Sequence, residues 1–298
     1  MRFGVDMGGT KIELLALDDE GKEIYRHRVP TPKDDYDKMV LAIRDLVLDA
    51  EKKLHKQGTV GVGIPGVISP KTGLVKNANT TVLIGKPFDK DLSQALNREI
   101  RMTNDANCFT LSEATDGAAE GHPIVFGVII GTGCGGGLVV NGTVIDGCNA
   151  IAGEWGHNKL PDSTDEENSL RPCYCGKQGC NETYFSGTGF EHDYQLTTGE
   201  KLKATEIARA AEEGDERAIQ CIERAEMRIA KALAVVINIV DPHAIVLGGG
   251  LSNIERIYPN IQKLLPKYVF SDTLETQVMK AKFGDSSGVR GAAWLWNS

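Results

Sequence analysis

The sequence predicts an α/β protein built from two related halves. A strand, a glycine turn, a second strand, another turn and a third strand begin at Phe3, and the same order of elements begins again at Phe126. Strands that alternate with helical patterns are typical of α/β folds. A repeat at this distance indicates two related domains rather than a solenoid, whose repeats are shorter. We expect the halves to face each other across a cleft, the usual place for a ligand.

The elements of the first half follow from apolar spacing and turn residues. Arg2–Asp6 and Lys11–Leu17 are predicted strands on either side of a glycine turn. Residues 35–56 carry apolar side chains three and four positions apart, which predicts an amphipathic helix. The remaining predicted elements of this half are a strand over Val60–Ile64 and helices over Lys90–Arg98 and Ala106–Ala114.

The second half shows similar signals. Leu138–Val140 runs into Asn141-Gly142, a strong hairpin pattern. The segment Pro161–Pro172 is rich in Asp, Glu and Ser, which predicts an exposed loop. Apolar positions from Ala218 to Ile237 predict a long helix that ends before Pro242. The last two predicted elements are a buried strand over Ala244–Leu247 and a helix over Val289–Trp296.

Composition excludes several classes of protein. The chain of 298 residues has 33 basic and 41 acidic side chains and a formal charge of −8, so we expect no nucleic-acid partner. No apolar run approaches the length of a membrane span, and no secretory signal is evident. The odd count of seven cysteines without an export signal favours a reducing compartment, and we expect a cytoplasmic protein.

Three glycine-rich turns are candidate phosphate or nucleotide sites. In Asp6–Lys11, backbone N–H groups and the Thr10 hydroxyl can hold a phosphate, Lys11 adds positive charge, and Asp6 can hold Mg²⁺ through water. Gly131-Thr132-Gly133 occupies the matching place in the second repeat, and Gly248–Gly250 follows a buried strand. Ordinary hairpin and strand-end turns remain the alternatives. None of the three matches a Walker A loop or a dinucleotide fingerprint.

Asp105 is the candidate general base. It lies in Thr103-Asn104-Asp105-Ala106-Asn107, where a predicted strand leads into a helix. Phosphoryl transfer needs chiefly positioning and charge neutralisation, with one carboxylate at the acceptor hydroxyl. Helix capping is the alternative role for an aspartate at this point, and both roles can coexist.

Three cysteines and one histidine predict a structural zinc site. Cys173, Cys175 and Cys180 lie within eight positions, and His157 precedes them by 16 residues. Three thiolates and one imidazole form a closed tetrahedral site, which is structural rather than hydrolytic. Three free buried cysteines remain the alternative.

Glu154 and Glu182 flank the predicted zinc site. Glu154 precedes His157 by three residues, so in a helical turn both share one face. Carboxylates held by a zinc loop suit the recognition of vicinal sugar hydroxyls. The alternative is a pair of solvated surface acids, the usual environment of glutamate.

Seven motifs in order along the chain resemble the ROK family of bacterial sugar kinases and sugar-responsive repressors, in the actin-like ATPase superfamily. These motifs are Asp6–Lys11, Gly61–Gly66, Asn104–Asn107, Gly131–Gly133, Gly153–His157, Cys173–Cys180 and Gly248–Gly250. The fold that the resemblance implies is a duplicated actin-like, ribonuclease H-like ATPase of two α/β domains, with a central cleft and a zinc-binding loop. We expect a small domain over residues 1–117, completed by a helix at about 286–298, and a larger domain over 118–285.

The resemblance also implies an activity. Within the family, Pro30–Pro32, Lys76–Asn79, Pro87–Leu92 and Cys173–Cys180 look most like the manno(fructo)kinase type. We therefore expect an ATP-dependent hexose kinase that makes fructose 6-phosphate, with mannose as a further substrate. The alternative is an N-acetylglucosamine or N-acetylmannosamine kinase of the same family. A sugar-sensing repressor is the rival class, but because the phosphate turn begins by residue 6 we expect no DNA-binding domain before it.

Residue roles follow from the same resemblance. Asp105 is the expected catalytic base and contacts the sugar. The other expected sugar ligands are Asn104, Glu154, His157 and Glu182. The residues expected around the ATP phosphates and Mg²⁺ are Asp6, Gly8, Gly9, Thr10, Lys11, Gly131, Thr132 and Gly133. Gly249 and Gly250 are expected near the adenosine, and His157, Cys173, Cys175 and Cys180 are expected to bind Zn²⁺. A homodimer is also implied. Asn181 departs from the family pattern, which usually has an aliphatic residue before the glutamate.

Overall fold

A computed structural model describes residues Met1–Trp296. The strands are β1 (Arg2–Met7), β2 (Lys11–Leu17), β3 (Glu23–Pro30), β4 (Thr59–Ile64), β5 (Val67–Ile68), β6 (Val75–Lys76), β7 (Arg101–Asn104), β8 (Ile124–Ile130), β9 (Cys134–Val140), β10 (Thr143–Val144), β11 (Ala244–Gly248) and β12 (Gln277–Lys280). The α-helices are α1 (Tyr36–Leu54), α2 (Phe88–Leu96), α3 (Asp105–Thr115), α4 (Asp165–Ser169), α5 (Glu182–Phe185), α6 (Gly187–Thr198), α7 (Ala204–Glu212), α8 (Glu216–Val240), α9 (Ile257–Leu264) and α10 (Ser287–Trp294).

The chain forms two compact units. Unit 1 contains residues 1–123, 137–152 and 285–298, and unit 2 contains residues 124–136 and 153–284. The first five-stranded sheet has the order β3-β2-β1-β4-β7, and the second has the order β10-β9-β8-β11-β12. In both sheets a hairpin-connected antiparallel part adjoins parallel strands. The chain therefore combines mixed sheets with helices, as expected of an α/β fold.

Helix α1 covers one face of the first sheet. Asp35 caps its N-terminus by accepting a hydrogen bond from the backbone N–H of Lys38. Its buried side chains, which include Met39, Ile43 and Val47, pack into one core with the apolar residues of β1, β2 and β4. The apolar spacing of residues 35–56 thus predicts this helix correctly.

Helix α10 packs against β1, β4 and α3, and glycines make the approach possible. A Cβ atom on Gly4 would overlap the carbonyl oxygen of Val289, and one on Gly61 would overlap that of Ala292. A Cβ atom on Gly291 of the helix would likewise overlap the carbonyl oxygen of Cys108 in α3. Any larger side chain at these positions would push the helix away from the sheet or from α3.

In unit 2, α8 is a long helix of 25 residues. Asp215 caps its start, and Asp241 ends it in a left-handed conformation with φ 49° immediately before Pro242. Its buried side chains include Ile222, Ile229 and Leu233. The apolar positions and the proline therefore predict its position correctly.

Other sequence expectations differ from the structure. The segment 161–172 is not simply an exposed loop, because it contains α4, and Asn168 and Arg171 within it are each 4% exposed. Helix α2 begins two residues before the predicted start at Lys90. The predicted C-terminal helix ends at Trp294, and the last two residues of the prediction for 286–298 lie outside the described residues. Within residues 1–296, no helix has both the length and the apolarity needed to span a membrane.

Candidate functional site

The turn between β1 and β2 is held by its own backbone and by Thr31. The backbone N–H of Gly8 donates to the carbonyl oxygen of Lys11 at 2.9 Å. The Thr31 hydroxyl donates to the carbonyl oxygen of Gly8 at 2.7 Å, and its N–H donates to that of Thr10 at 3.1 Å. Thr31 is buried, whereas Gly9 and Thr10 are exposed. Thr31 thus satisfies the carbonyl oxygens of Gly8 and Thr10. An anion that approaches the exposed part of the turn therefore meets fewer free oxygen lone pairs, which would repel it.

Asp6, at the end of β1, lies in a strongly negative environment. Burial, and then the negative charges of Asp105 and Glu13, raise the pKa of Asp6 to about 7, and Lys11 opposes the rise. Because burial and the neighbouring acids disfavour the charged form of Asp6, a cation close to its carboxylate would stabilise that form. The arrangement is suited to a divalent cation carried by a polyphosphate.

The step from β7 to α3 places Asn104 and Asp105. The Asn104 side chain accepts hydrogen bonds from the N–H groups of Ala106 at 2.8 Å and Asn107 at 3.4 Å, so Asn104 is the N-cap. Asp105 is the first residue of the helix, is exposed, and accepts a hydrogen bond from Ala106 N–H at 2.8 Å. The capping role that the sequence leaves open for Asp105 therefore belongs mainly to Asn104.

The second glycine turn, between β8 and β9, is held by the start of α6. The N–H of Gly131 donates to the carbonyl oxygen of Gly133 at 3.0 Å. The N–H of Gly187 donates to the Gly131 carbonyl oxygen at 2.7 Å, and the Thr188 hydroxyl donates to that of Thr132 at 2.9 Å. As in the first turn, a threonine from another segment satisfies a carbonyl oxygen of the turn.

A cavity of about 660 Å³ opens beside this second turn, entirely within unit 2. Gly131, Thr132 and Gly250, which the sequence assigns to a predicted nucleotide site, line it. Gly249 has φ +85°, and a Cβ atom there would lie 2.6 Å from the backbone of Ile130, so only glycine fits. The rest of the lining comes from α6, α7 and the turn after Gly250, including Thr188, Glu191, Lys203, Ala208, Arg209, Leu251 and Ile254.

Sequence reasoning misses the contribution of α6 and α7 to this cavity. Most of their residues have the mixed polar and apolar composition of ordinary surface helices, apart from Gly187-Thr188-Gly189 at the start of α6, which has the same residue types as Gly131-Thr132-Gly133. The one available signal is Ser186-Gly187-Thr188, a serine N-cap at the start of α6 that accepts from Gly189 N–H at 3.1 Å.

The three cysteines and the histidine come together in unit 2. Their ligand atoms all lie within 4.8 Å of one another. Nδ1 of His157 is 3.5 Å from Sγ of Cys173, and Sγ of Cys175 is 3.6 Å from Sγ of Cys180. Tetrahedral Zn²⁺ with Zn–S bonds of about 2.3 Å holds its ligand atoms roughly 3.5–3.8 Å apart. These side chains therefore fit a zinc ion in both chemistry and spacing.

Glu182 connects this cluster to the second glycine turn. Its Oε1 accepts a hydrogen bond from the Cys173 thiol at 3.1 Å and lies 3.6 Å from Nδ1 of His157. Its Oε2 accepts from the N–H of Cys134, directly after Gly133, at 3.4 Å. Glu182 is only 9% exposed, so it is not the solvated surface acid of the alternative interpretation.

Glu154 and Asn181 complete the surroundings of His157. A short 3₁₀ helix over Trp155–His157 brings Nε2 of His157 to 4.0 Å from Glu154 Oε2 and 3.0 Å from the Tyr174 hydroxyl. The buried Asn181 donates to the carbonyl oxygen of Trp155 at 2.9 Å. Here the polar residue that departs from the family pattern fastens the histidine-bearing turn to the segment before Glu182.

Comparison with known proteins identifies the class. The family model described as "ROK family" matches residues 2–298, and the chain belongs to this family. The ROK hexokinase of Thermus thermophilus is 28% identical, with a TM-score of 0.87 and coverage of 99% of this chain and 97% of that one. The predicted α/β fold of the actin-like ATPase type is thereby confirmed.

The relatives also define the reaction in outline. N-acetyl-D-glucosamine kinase of Pectobacterium atrosepticum is 45% identical over 299 residues, which cover 99% of this chain and 98% of the relative. A ROK glucokinase of Streptomyces griseus, solved in complex with glucose and AMPPNP, is 28% identical with a TM-score of 0.78, and the match covers 99% of this chain and 98% of that one. The protein is an ATP-dependent sugar kinase, and such a kinase uses ATP with Mg²⁺.

Proposed function

We propose that this kinase transfers the γ-phosphoryl group of ATP to N-acetyl-D-glucosamine. The observation that carries the proposal is the 45% identity to an N-acetyl-D-glucosamine kinase over nearly the full length of both chains. Fructose, which the sequence motifs favour as substrate, has no support from these relatives. The alternative given with it, an N-acetylhexosamine, is better supported.

In the proposed reaction Asp105 is the general base. Its carboxylate takes the proton from the sugar hydroxyl, the hydroxyl oxygen forms a bond to the γ-phosphorus, and the bond to the β-γ bridging oxygen breaks. ADP leaves with the electron pair, and the proton stays on Asp105 until product release. The position of Asp105 at the exposed N-terminus of α3, with Asn104 beside it, supports this role.

We assign the sugar and nucleotide contacts to the two sets of residues already described. The proposed sugar ligands are Asn104, Asp105, Glu154, His157 and Glu182. The proposed ligands around the ATP phosphates are Asp6, Gly8, Gly9, Thr10, Lys11, Gly131, Thr132 and Gly133. Mg²⁺, when bound, neutralises charge on the phosphates. Gly249 and Gly250 belong to the proposed adenosine site, for which the 660 Å³ cavity offers room.

We also propose that His157, Cys173, Cys175 and Cys180 hold a structural Zn²⁺. The ligand atoms lie within 4.8 Å of one another, and two pairs of them are 3.5 and 3.6 Å apart, which supports this assignment. Nδ1 of His157 faces the cysteines, so Nε2, which is 3.0 Å from the Tyr174 hydroxyl, is the proposed sugar-facing atom and would exchange that partner for a sugar hydroxyl. When bound, zinc would fix the loop that carries Cys173 and thereby the carboxylate of Glu182. The homodimer implied by the family resemblance stays a prediction.

The test is ADP release, measured by a coupled assay with ATP and five sugars: N-acetylglucosamine, N-acetylmannosamine, glucose, mannose and fructose. We expect the highest kcat/KM with N-acetylglucosamine. A higher value with fructose would contradict the proposal and restore the substrate expected from the sequence motifs. Turnover of none of the five would also contradict it, and the Asp105→Asn variant provides the background rate.

A further inference from the structure

The loop that follows β10 folds back toward the start of α3 within unit 1. It spans residues 145–152, and the N–H of Ala152 donates to the carbonyl oxygen of Asp146 at 3.1 Å. The carbonyl oxygen of Asn149 accepts a hydrogen bond from Nζ of Lys76, in β6, at 2.9 Å. The loop is thus closed on itself and attached to the β5–β6 hairpin.

One carboxylate oxygen of Asp146 binds both Thr103, directly before Asn104, and Asn107, two positions after Asp105. Oδ1 of Asp146 accepts hydrogen bonds from Oγ1 of Thr103 at 3.0 Å and from Nδ2 of Asn107 at 2.9 Å. Nδ2 of Asn107 also donates to Oγ1 of Thr103 at 3.0 Å. The two donors, Thr103 and Asn107, are 9% and 5% exposed, whereas Asp146 itself is exposed, so water reaches the carboxylate but little of the donor groups. Hydrogen bonds to an ionised acceptor are about twice as strong as neutral ones.

The place of Thr103 in the sheet explains why such an anchor matters. Thr103 lies in β7, the edge strand of the first sheet, so a neighbouring strand supports it on one side only. Asn107 lies in the first turn of α3. A cavity of about 170 Å³, lined among others by Asn104, Asp146 and Gly147, opens at this edge. Asp146 therefore holds together the end of β7 and the start of α3 beside this cavity.

We propose that Asp146 is a positioning residue for phosphoryl transfer. By holding Thr103 and Asn107 it sets the orientation of Asn104 and Asp105 toward the sugar hydroxyl. The inference rests on the proposed role of Asp105 as general base. Displacement of a reacting group by about 1 Å can cost on the order of a hundredfold in rate, so a small relaxation of this step is measurable.

The experiment compares variants with the sugar that the wild-type enzyme phosphorylates. Asp146→Ala removes the acceptor, whereas Asp146→Asn keeps an oxygen that accepts both bonds and removes only the charge. Asn149→Ala, in the same loop, is the matched control, because its backbone carbonyl group remains available to Lys76. We expect Asp146→Ala to lower kcat about 10- to 100-fold with the KM for ATP unchanged, and Asp146→Asn and Asn149→Ala to stay within about threefold of wild type.

Thr103→Val tests the same contact from the donor side and serves also where Asp146→Ala is poorly folded. We expect Thr103→Val to lower kcat. The loss in the double variant with Asp146→Ala should be far smaller than the sum of the two single losses, because both substitutions remove the same hydrogen bond between Thr103 and Asp146. Wild-type kcat in Asp146→Ala, or an equal loss in Asp146→Asn, would overturn the proposal. Failure of the proposed function is seen separately, as a wild-type preference for another sugar or as full activity of Asp105→Asn.

Discussion

The hydroxyl of Thr31 donates a hydrogen bond to the carbonyl oxygen of Gly8 at 2.7 Å, and it lies outside the turn that it supports. Thr188 makes the corresponding bond to the carbonyl oxygen of Thr132 at 2.9 Å in the other unit. Each glycine turn thus depends on a threonine contributed by a distant segment. The same type of contact, a threonine hydroxyl that donates to a turn carbonyl oxygen, therefore occurs in both units. A glycine-rich turn has few side chains of its own that could stabilise its shape.

Thr31→Val is therefore expected to weaken ATP binding. The substitution keeps the β-branched shape and removes the donor, which leaves the Gly8 carbonyl oxygen without its partner and loosens the turn. We expect the KM for ATP to rise about 5- to 10-fold, in line with about 1 kcal/mol for one lost hydrogen bond. Thr31→Ser keeps the hydroxyl and serves as control. Steady-state kinetics with an unchanged KM for ATP in Thr31→Val would argue against this role.

Asp105→Asn tests the general base. Asparagine has nearly the same shape, still accepts the hydrogen bond from Ala106 N–H, and cannot take up the proton. We expect kcat to fall by roughly 10²- to 10⁴-fold, the usual contribution of a general base, while sugar affinity changes little. Calorimetric titration with sugar measures the affinity independently of turnover. Near-wild-type kcat would remove Asp105 from the mechanism.

Cys175→Ser tests the coupling between zinc and the sugar site. Cys175 is exposed, so its replacement disturbs packing little, but it deletes one of four ligand atoms. We expect loss of bound zinc and a rise in the KM for the sugar, because the loop that carries Cys173 and packs beside Glu182 would lose the metal that fixes it.

Cys148→Ser is the matched control, since Cys148 is also exposed and lies outside the cluster. Metal content is measured by elemental analysis together with kinetics. An enzyme that lacks zinc and keeps the wild-type sugar KM would separate the metal from the sugar site.

The sequence predicts much of the fold because the decisive signals are local. The helical spacing from Met39 to Leu54, the proline after α8 and the glycine turns each act within a few residues. The His157 and cysteine cluster is equally predictable, because few side-chain sets have that combination. All of these features can be predicted because they depend on residue type and on short distances along the chain.

The remaining features depend on tertiary contacts that no local pattern reports. Thr31, Thr188 and Asp146 are ordinary polar residues in sequence, and only the folded chain brings them to a turn or helix start. Arg171 lies in a segment whose acidic and polar composition predicts exposure, yet it is buried. Its burial follows from its partner Asp193, which is 22 positions further along the chain.

Asp193 is the centre of a buried charge cluster. Its Oδ1 accepts hydrogen bonds from Arg171 and Arg228, each at 2.6 Å, and its Oδ2 accepts one from Arg224 at 2.8 Å. Arg171 also donates to the carbonyl oxygen of Thr183, directly after Glu182, at 2.8 Å. The cluster therefore connects α6 and α8 to the segment that carries the proposed zinc ligands.

Asp193→Asn is expected to destabilise unit 2 in a pH-dependent way. Burial tends to raise the pKa of Asp193, but the charges and hydrogen bonds of Arg228 and Arg224 outweigh it and hold the pKa below its ordinary value of 3.8. The folded state thus binds fewer protons than the unfolded state, and the stabilisation present above about pH 4 is lost as pH falls through the folded pKa. We expect Asp193→Asn to cost about 3–5 kcal/mol at neutral pH, because three arginines lose their counter-charge.

The difference in unfolding free energy between wild type and Asp193→Asn should begin to shrink as the pH falls below about 4, where the carboxylate of the unfolded state takes up a proton, and should be lost once the pH is below the lower pKa of the folded state. Denaturant unfolding at several pH values, with the exposed Asp272→Asn as control, measures this directly. If the difference stays constant from neutral to acid pH, the stabilisation comes from packing around the side chain and not from its charge. If the difference becomes smaller as the pH falls, the charge of the buried Asp193 carboxylate stabilises unit 2, including the segment that carries the proposed zinc ligands.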